Sequence, residues 1–298
     1  MANQENGTTP KQDTYLLTRN TNESLRLTAQ HYFLTQRQGW LIHPRIQEAL
    51  KDIPNQQIAD LATGTGIWAL EVASLLPNAH VTGLDISSAQ FPPDWSRPKN
   101  VTFGLLDLLE EVPESYRSRF DFVHVRLLLS AGPAVDKSVF ITHFSQFLKP
   151  GGWLQWDELT YPNMQTVIHD PVTNKTMIED MANHVIFKAV KVVDMKTKVQ
   201  WFSPSESFAA ALTRDKAEFC EAWSAYIPVK MWVSGIETNV AVAVMIQMTD
   251  MISKFFGRDN PEALKQLEEA KEQVKKESSE EGVGYAFNWW VGVARRSL

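Results

Sequence analysis

The central part of the chain shows short apolar runs that alternate with segments of helical periodicity. The runs that predict strands are QIADLA, HVTGLDIS, VTFGLLD, RFDFVHVRLLL and WLQWDEL. The segments GIWALEVASLLP and SVFITHFSQFLKPGG, which lie among them, place apolar residues on one helical face. Strands that alternate with helices build βαβ units. The pattern therefore predicts an α/β fold with a mostly parallel sheet and helices on both faces.

The N-terminal part predicts a polar tail followed by two helices. Residues 1–14 are polar and show no periodicity, so we expect a disordered tail. Asn20 is suited to cap a helix, Glu23 completes a capping box, and Gly39 is placed to end the helix. Pro44 begins a second, shorter helix.

Helical patterns dominate after Tyr161. We predict a long helix over residues 170–196, a shorter one over 203–213, and two more over 237–256 and 260–282. The runs AEFCEAWSAYIPV and GYAFNWWVGVARR predict the last two strands. Met and Trp are frequent here, and they suit either an irregular apolar pocket or an ordinary core.

Composition narrows the classes of function. The chain has 298 residues, a formal net charge of -6 and no basic block, which argues against binding to nucleic acid or to an anionic membrane surface. Cys220 is the single cysteine, so no intramolecular disulfide forms and a reducing compartment is expected. Neither a signal peptide nor a transmembrane run is visible, so we predict a cytoplasmic protein.

The loop after the first predicted strand has the character of a ligand cradle. Asp60 lies in the strand, and Ala62, Gly64 and Gly66 alternate with larger residues in the turn. Small residues let a backbone approach a ligand closely, and the helix that follows favours a negative group at its N-terminus. A dinucleotide fingerprint needs G-x-G-x-x-G, but Leu70 stands where its third glycine falls. The loop therefore argues against a pyrophosphate cradle.

Two further carboxylates follow the next two predicted strands. Asp85 ends the second strand, where a carboxylate can accept hydrogen bonds from both ribose hydroxyls. Asp107 follows the third strand, where a carboxylate can accept from the exocyclic amine of adenine and Leu108 offers a backbone N–H. Taken singly, Asp60 could instead cap its loop and Asp107 a helix. Together, three strand ends predict a nucleoside-bearing ligand.

This set of residues resembles the cofactor site of class I S-adenosylmethionine-dependent methyltransferases. The stretches YLLTRNTNESLRLTAQH, GWLIHP, DLATGTGIW, GLDISSAQFP, FDFVHVRLL and LKPGGWLQWDEL are similar to the fungal secondary-metabolism group of that family. The resemblance implies a Rossmann-like, mostly parallel seven-stranded sheet with added helical lid elements. It divides the chain into a tail (1–14), a helical lid (15–55), a cofactor-binding core (56–160) and acceptor-pocket insertions with the last strands (161–298).

The resemblance also implies the cofactor, S-adenosyl-L-methionine with S-adenosyl-L-homocysteine as product, and a role for each residue. Asp60 and the loop would face the methionine end, Asp85 would hold the ribose, and Arg126 would lie beside the sulfonium unless it forms a surface ion pair. The implied cofactor-binding residues are Asp60, Ala62, Gly64, Gly66, Asp85, Ile86, Asp107, Leu108 and Arg126. Ala62 departs from the usual glycine; alanine is tolerated there if φ is negative, whereas a positive φ would weaken cofactor binding.

The sequence identifies no catalytic residue and no metal site. Methyl transfer from a sulfonium needs a general base only where the acceptor must lose a proton. The candidates are His31 on the predicted lid and His184 on the predicted long helix, each of which could equally be structural. His124 alternates with valines and is expected to be buried. Asp157 and Glu158 could act or merely cap.

The predicted function is transfer of a methyl group to an O, N or S atom of a small apolar natural product. Two alternatives remain: a regulator of secondary metabolism that binds the cofactor, and a cyclase of the same fold. The acceptor and the oligomeric state, including a homodimer, are left open by the sequence.

Overall fold

A computed structural model describes residues 18–128, 138–170, 173, 175–180, 219–227, 235–256 and 261–298. The described α-helices are α1 (Thr21–Gln38), α2 (Pro44–Leu50), α3 (Ile67–Leu75), α4 (Ser138–Phe147), α5 (Gly235–Phe256) and α6 (Pro261–Glu280). The described strands are β1 (Gln57–Leu61), β2 (His80–Asp85), β3 (Val101–Leu105), β4 (Phe120–Arg126), β5 (Leu148–Asp170), β6 (Lys175–Asp180), β7 (Phe219–Ile227) and β8 (Gly284–Arg296). The predicted tail lies outside this part of the chain.

The strands form one sheet in the order β3-β2-β1-β4-β5-β8-β7, and β6 pairs with β5 beside this path. Strands β1 to β5 pair in parallel, whereas β8 runs antiparallel to both β5 and β7. The chain lays β2 and β3 on one side of β1 and then places β4 on the other. The order thus reverses between β1 and β4, and ligands in open α/β sheets bind at such a reversal. The predicted α/β class, with its mostly parallel sheet, is confirmed, but the described sheet has eight strands rather than the predicted seven because β6 joins it.

Two apolar cores cover the two faces of the sheet. One contains residues from α1, α2, α3, α5 and α6, and the other contains residues from α4. Residues 58–61 of β1 and 120–125 of β4 are buried throughout, as expected for strands with a helix layer on each face. The inner strands therefore hold the cleft residues at their ends in a rigid frame.

Helix α1 begins and ends as its sequence predicts. The Asn20 side chain accepts a hydrogen bond from the Glu23 backbone N–H at 3.0 Å, and Gly39 ends the helix with φ of +84°. At its C-terminal end, buried Arg37 donates to Glu237 of α5 at 2.9 Å and to the Phe287 carbonyl of β8 at 2.7 Å. These bonds fasten the helix to the body of the protein.

The helix predicted over residues 170–196 is wrong at its start. Residues 175–180 form β6, which runs antiparallel to the end of β5, with Val167 opposite Ile178 and Ile168 opposite Met177. These β-branched and apolar residues flank the sequence Asp-Pro-Val-Thr-Asn, whose residue types favour a turn. Strand β5 accordingly continues to residue 170, beyond the predicted end at 159. The remainder of that segment and residues 203–213 lie outside the described residues.

The other late elements agree with the pattern. Strands β7 and β8 and helices α5 and α6 form where the sequence predicts them. Among the described helices, none has a stretch both long enough and apolar enough to cross a bilayer. The boundaries proposed for the lid, core and acceptor region stay predictions.

Candidate active site

The reversal of strand order brings polar side chains together across β1, β4 and β5. Asp60 on β1 lies in register with His124 on β4, and His124 with Gln155 on β5. Arg126 and Asp157 form the next such row, towards the carboxyl ends of the same strands. Because side chains two residues apart share a face of a strand, both rows lie on one side of the sheet. The register therefore builds a polar floor at the end of the sheet where a ligand is expected.

Asp60 holds the loop that follows it. Its Oδ2 accepts from the Thr63 hydroxyl at 2.5 Å, and its Oδ1 lies 2.7 Å from His124 Nδ1. The Thr63 backbone N–H also donates to the Leu84 carbonyl of β2 at 3.0 Å. Asp60 is buried and both of its oxygens are engaged within the protein. The loop-capping alternative is thus realised, and contact with a ligand stays a prediction.

The small residues of the loop adopt left-handed backbone conformations. The φ angles are +55° at Ala62, +56° at Gly64 and +73° at Gly66. Of the two alternatives left open at Ala62, the structure therefore shows the positive φ. This alanine takes the conformation that glycine adopts without strain, because the turn out of β1 needs it.

Gly66 and Gly64 differ in the space around them. A Cβ at Gly66 would lie 2.5 Å from the ring of Phe103, whereas one at Gly64 would lie 3.6 Å from Leu27 of α1. Gly66 is required by packing as well as by its backbone angle. Gly64 is required by its angle alone and sits directly beneath α1.

Asp85 closes the loop from the end of β2. Its Oδ2 accepts from the Gly64 backbone N–H at 2.8 Å, and its Oδ1 accepts from the Ser87 N–H at 3.1 Å. Burial raises the pKa of this carboxyl, while the two N–H donors act in the opposite direction. Ile86, the next residue, is 45% exposed. An acceptor and an exposed apolar surface therefore lie side by side at this strand end.

Asp107 and Leu108 lie just beyond β3 and are half-buried. The Asp107 carboxylate accepts from the backbone N–H of Leu109 at 2.9 Å, which folds the turn on itself. The Leu108 carbonyl accepts from His143 Nδ1 of α4 at 2.9 Å. The turn is thus tied to the opposite helix layer, and its adenine-binding role stays a prediction.

Arg126, at the end of β4, meets the first helix rather than forming a surface ion pair. Its Nη2 lies 2.9 Å from His31 Nδ1, and His31 Nε2 lies 3.0 Å from Glu71 Oε2 of α3. Burial, followed by the charge of Arg126, lowers the pKa of His31 to about 4. Both ring nitrogens are engaged and the pKa is low, which does not favour His31 as a general base. His184, the other candidate, lies outside the described residues.

His124 is buried, as predicted, in a chain of polar groups. Its Nε2 lies 3.6 Å from Asp157 Oδ2, and its ring stacks on Trp68 of α3 with centroids 3.8 Å apart and planes at 6°. Asp157 Oδ2 also accepts from Gln155 at 3.0 Å, and Glu158 accepts from the Leu128 backbone N–H at 2.8 Å. Asp157 thus belongs to the polar floor, whereas Glu158 alternates to the opposite side of the sheet, and a part in the reaction for either stays a prediction.

The N-terminal half of α1 carries a buried polar cluster, in which the Glu23 side chain turns inward to Arg26 and Gln247 rather than back to Asn20 as a capping box requires. The Glu23 carboxylate accepts from Arg26 Nε at 2.8 Å and Nη2 at 2.6 Å, and from Gln247 of α5 at 2.8 Å. Gln30 also accepts from Arg26. All three α1 residues are buried. The helical spacing of Glu23, Arg26 and Gln30 was visible in the sequence and could have indicated a polar inner face.

Residues 58–152 match the sequence profile of a family described as a methyltransferase domain. Methyltransferase grgD of a Penicillium species is 37% identical over 159 residues, which cover 50% of this chain and 54% of that protein. N-methyltransferase verN of Clonostachys rogersoniana is 36% identical over 146 residues, covering 48% of this chain and 49% of that protein. The matched part thus spans about half the length of these curated relatives.

A solved S-adenosylmethionine dependent methyltransferase from Mesorhizobium loti resembles 87% of this chain and 100% of its own, with 17% identity and a TM-score of 0.45.

Proposed function

We propose that the chain moves the methyl group of S-adenosyl-L-methionine to a small apolar natural product, because residues 58–152 match a family described as a methyltransferase domain. The acceptor atom is O, N or S, and S-adenosyl-L-homocysteine is the second product. Region 161–298 shapes the acceptor pocket in this proposal.

The observation that carries the proposal is the meeting of three strand ends at the reversal between β1 and β4. The Ala62–Gly66 loop, Asp85 with Ile86, and Asp107 with Leu108 lie at the carboxyl ends of β1, β2 and β3. Carboxylates accept hydrogen bonds, as the hydroxyls of a ribose and the amine of an adenine require. A Cβ at Gly64 would meet only the side chain of Leu27 on α1, at 3.6 Å, so the loop backbone there faces this helix without a side chain of its own. The residues present fit this cofactor.

The cofactor, when bound, supplies an activated methyl group whose bond to sulfur breaks as the bond to the acceptor forms. The protein has two tasks in such an in-line displacement: it aligns the acceptor and excludes water. Helix α1 is placed for the second task, because Leu27 lies against Gly64 and His31 against Arg126. The loop held by Asp60 serves the first task by fixing the position of the methionine end.

Nitrogen is the acceptor to test first. The relative verN, which is 36% identical over 146 residues, carries the name N-methyltransferase. An amine or amide nitrogen in an apolar molecule suits the Met- and Trp-rich character of the sequence after residue 161.

Cofactor binding is the direct test. We expect S-adenosyl-L-homocysteine at a hundred times its Kd to stabilise the protein by about 2.7 kcal/mol and to raise its melting temperature by roughly 5–10 °C. Asp85→Asn removes the charge that would hold the ribose, and it should lose most of this shift. Asp52→Asn, at an exposed site on the surface, is the matched control and should keep it.

The remaining functions are separated by product analysis. Incubation with S-adenosyl-L-methionine and natural-product intermediates gives a product heavier by one methylene if the proposal holds. A mass-neutral product would instead indicate a cyclase. Cofactor binding with no conversion of any intermediate would indicate a regulator. If no melting shift occurs, the cofactor assignment itself is refuted.

The proposal also covers the class of substrate, the cellular location and the oligomeric state. We take the small molecule as the sole class of substrate, since a net charge of -6 without a basic block is unsuited to nucleic acid or anionic lipid. A cytoplasmic location is proposed from the single cysteine, which suits a reducing compartment. A homodimer is to be tested by size-exclusion chromatography with light scattering.

A further inference from the structure

His31 connects three elements around the cleft through its two ring nitrogens. It belongs to α1 and is 0% exposed. Its Nδ1 faces Arg126 Nη2 at 2.9 Å, and its Nε2 faces Glu71 Oε2 at 3.0 Å. Helix α1 is thereby joined to the end of β4 and to α3.

The partners determine where the proton of His31 lies. A guanidinium has only donors, so Nδ1 must accept from Arg126. The ring is neutral at pH 7 because its pKa is lowered to about 4. The one ring proton is therefore on Nε2, which donates to Glu71. His31 is a hydrogen-bond acceptor of fixed tautomer towards Arg126.

Arg126 is a charged group at the point where the sheet reverses. Asp157, Asp60 and Glu71 favour its charged form electrostatically, while burial opposes it. A guanidinium has five N–H groups in one plane, and its bond to His31 fixes the orientation of that plane. The bond to His31 thereby also sets the direction of the Arg126 N–H groups that do not contact His31.

We propose that His31 is a positioning residue: it orients Arg126 to receive the carboxylate of the amino-acid end of the cofactor, and so couples closure of α1 to that contact. This inference rests on the proposed function. When the acceptor at His31 Nδ1 is removed, Arg126 stays charged, but its side chain is free to turn towards the neighbouring carboxylates. The affinity for the carboxylate then falls, whereas the affinity for the adenosine part does not.

Two substitutions test the roles of the two ring nitrogens of His31 separately. His31→Asn keeps an acceptor oxygen near the position of Nδ1, and His31→Gln keeps a donor near the position of Nε2. The ligand pair is S-adenosyl-L-homocysteine, which has the amino-acid end, and 5′-methylthioadenosine, which lacks it. Kd values for both ligands are measured by calorimetry at pH 7.5 for the wild type and each variant.

We expect His31→Gln to raise the Kd of S-adenosyl-L-homocysteine about tenfold and to leave that of 5′-methylthioadenosine within about twofold. His31→Asn should raise the former by less than about threefold. Combined with Arg126→Lys, His31→Gln should add little further loss, since both changes act on one contact. If His31→Gln does not fold, Arg126→Lys alone must show the same discrimination between the two ligands.

Two results would overturn the inference while leaving the proposed function intact. One is an equal loss of affinity for both ligands, which would indicate a merely structural role. The other is unchanged affinity for S-adenosyl-L-homocysteine in His31→Gln. A wild-type protein that bound neither ligand would refute the proposed function and the inference with it.

Discussion

Alanine substitutions at Gly66 and Gly64 distinguish the cost of backbone strain from the cost of a steric clash. An alanine at either position must adopt a positive φ, which costs about 1–2 kcal/mol, offset by about 0.4–1 kcal/mol from the unfolded chain. Gly64→Ala should therefore lower the free energy of unfolding by roughly 0.5–1 kcal/mol. In Gly66→Ala the new Cβ would also lie 2.5 Å from the Phe103 ring. Overpacking of this kind adds about 1–3 kcal/mol.

Urea denaturation followed by circular dichroism measures both variants. We expect Gly66→Ala to lose about 3 kcal/mol, which corresponds to a melting temperature lower by roughly 6–12 °C. Phe103→Leu removes the ring edge, so the double variant with Gly66→Ala should be more stable than the sum of the single changes predicts, by about 1 kcal/mol. Equal losses in Gly64→Ala and Gly66→Ala, or strict additivity with Phe103→Leu, would refute the steric argument.

Three further predictions use the same denaturation assay. Ala62→Gly relieves a φ of +55° but loses a partly packed methyl group, so the expected gain is about 0.5 kcal/mol; a loss of stability would contradict the strain. His31 has a folded pKa lowered from 6.5 to about 4, so the unfolded state binds its proton first as pH falls. The free energy of unfolding therefore falls by about 3 kcal/mol between pH 6.5 and pH 4. His31→Asn should reduce that loss, and an unchanged pH profile in this variant would refute the conclusion that His31 is neutral in the folded protein. Arg37→Ala removes the buried guanidinium that donates to Glu237 and to the Phe287 carbonyl, and it should cost about 3 kcal/mol. Lys51→Ala, in an exposed pair, should change stability by less than about 0.5 kcal/mol; equal effects would mean that the buried bonds contribute nothing.

The sequence was sufficient for the parallel half of the sheet because its signals there are local. Buried strands such as β4 have continuous apolar runs, and each strand end carries a residue whose chemistry is visible, as Asp85 does. Helix α1 was predicted to its ends because Asn20 and Gly39 are specific capping residues. Candidate cofactor residues could therefore be assigned to strand ends in advance.

The errors arose where tertiary pairing decides the conformation. Residues 175–180 have apolar positions that fit a helix, but the register with the end of β5 makes them a strand. The sign of φ at Ala62 was left open by the sequence for a related reason, since alanine itself gives no signal of a left-handed turn. The link from His31 to Arg126 joins residues far apart in sequence, and no spacing reveals such a contact.

Helix α1 is attached in two different ways along its length. Its first half is joined to other parts of the chain by hydrogen bonds from Gln247 to Glu23 and from Gln90 to Ser24, which water could replace on separation, whereas Phe33 and Leu34 in the second half belong to the apolar core. Separation of the second half therefore exposes more apolar surface than separation of the first half. We expect the first half of the helix to move away from the cleft more readily than the second, which would let a ligand enter and leave beside Gly64 without loss of the core.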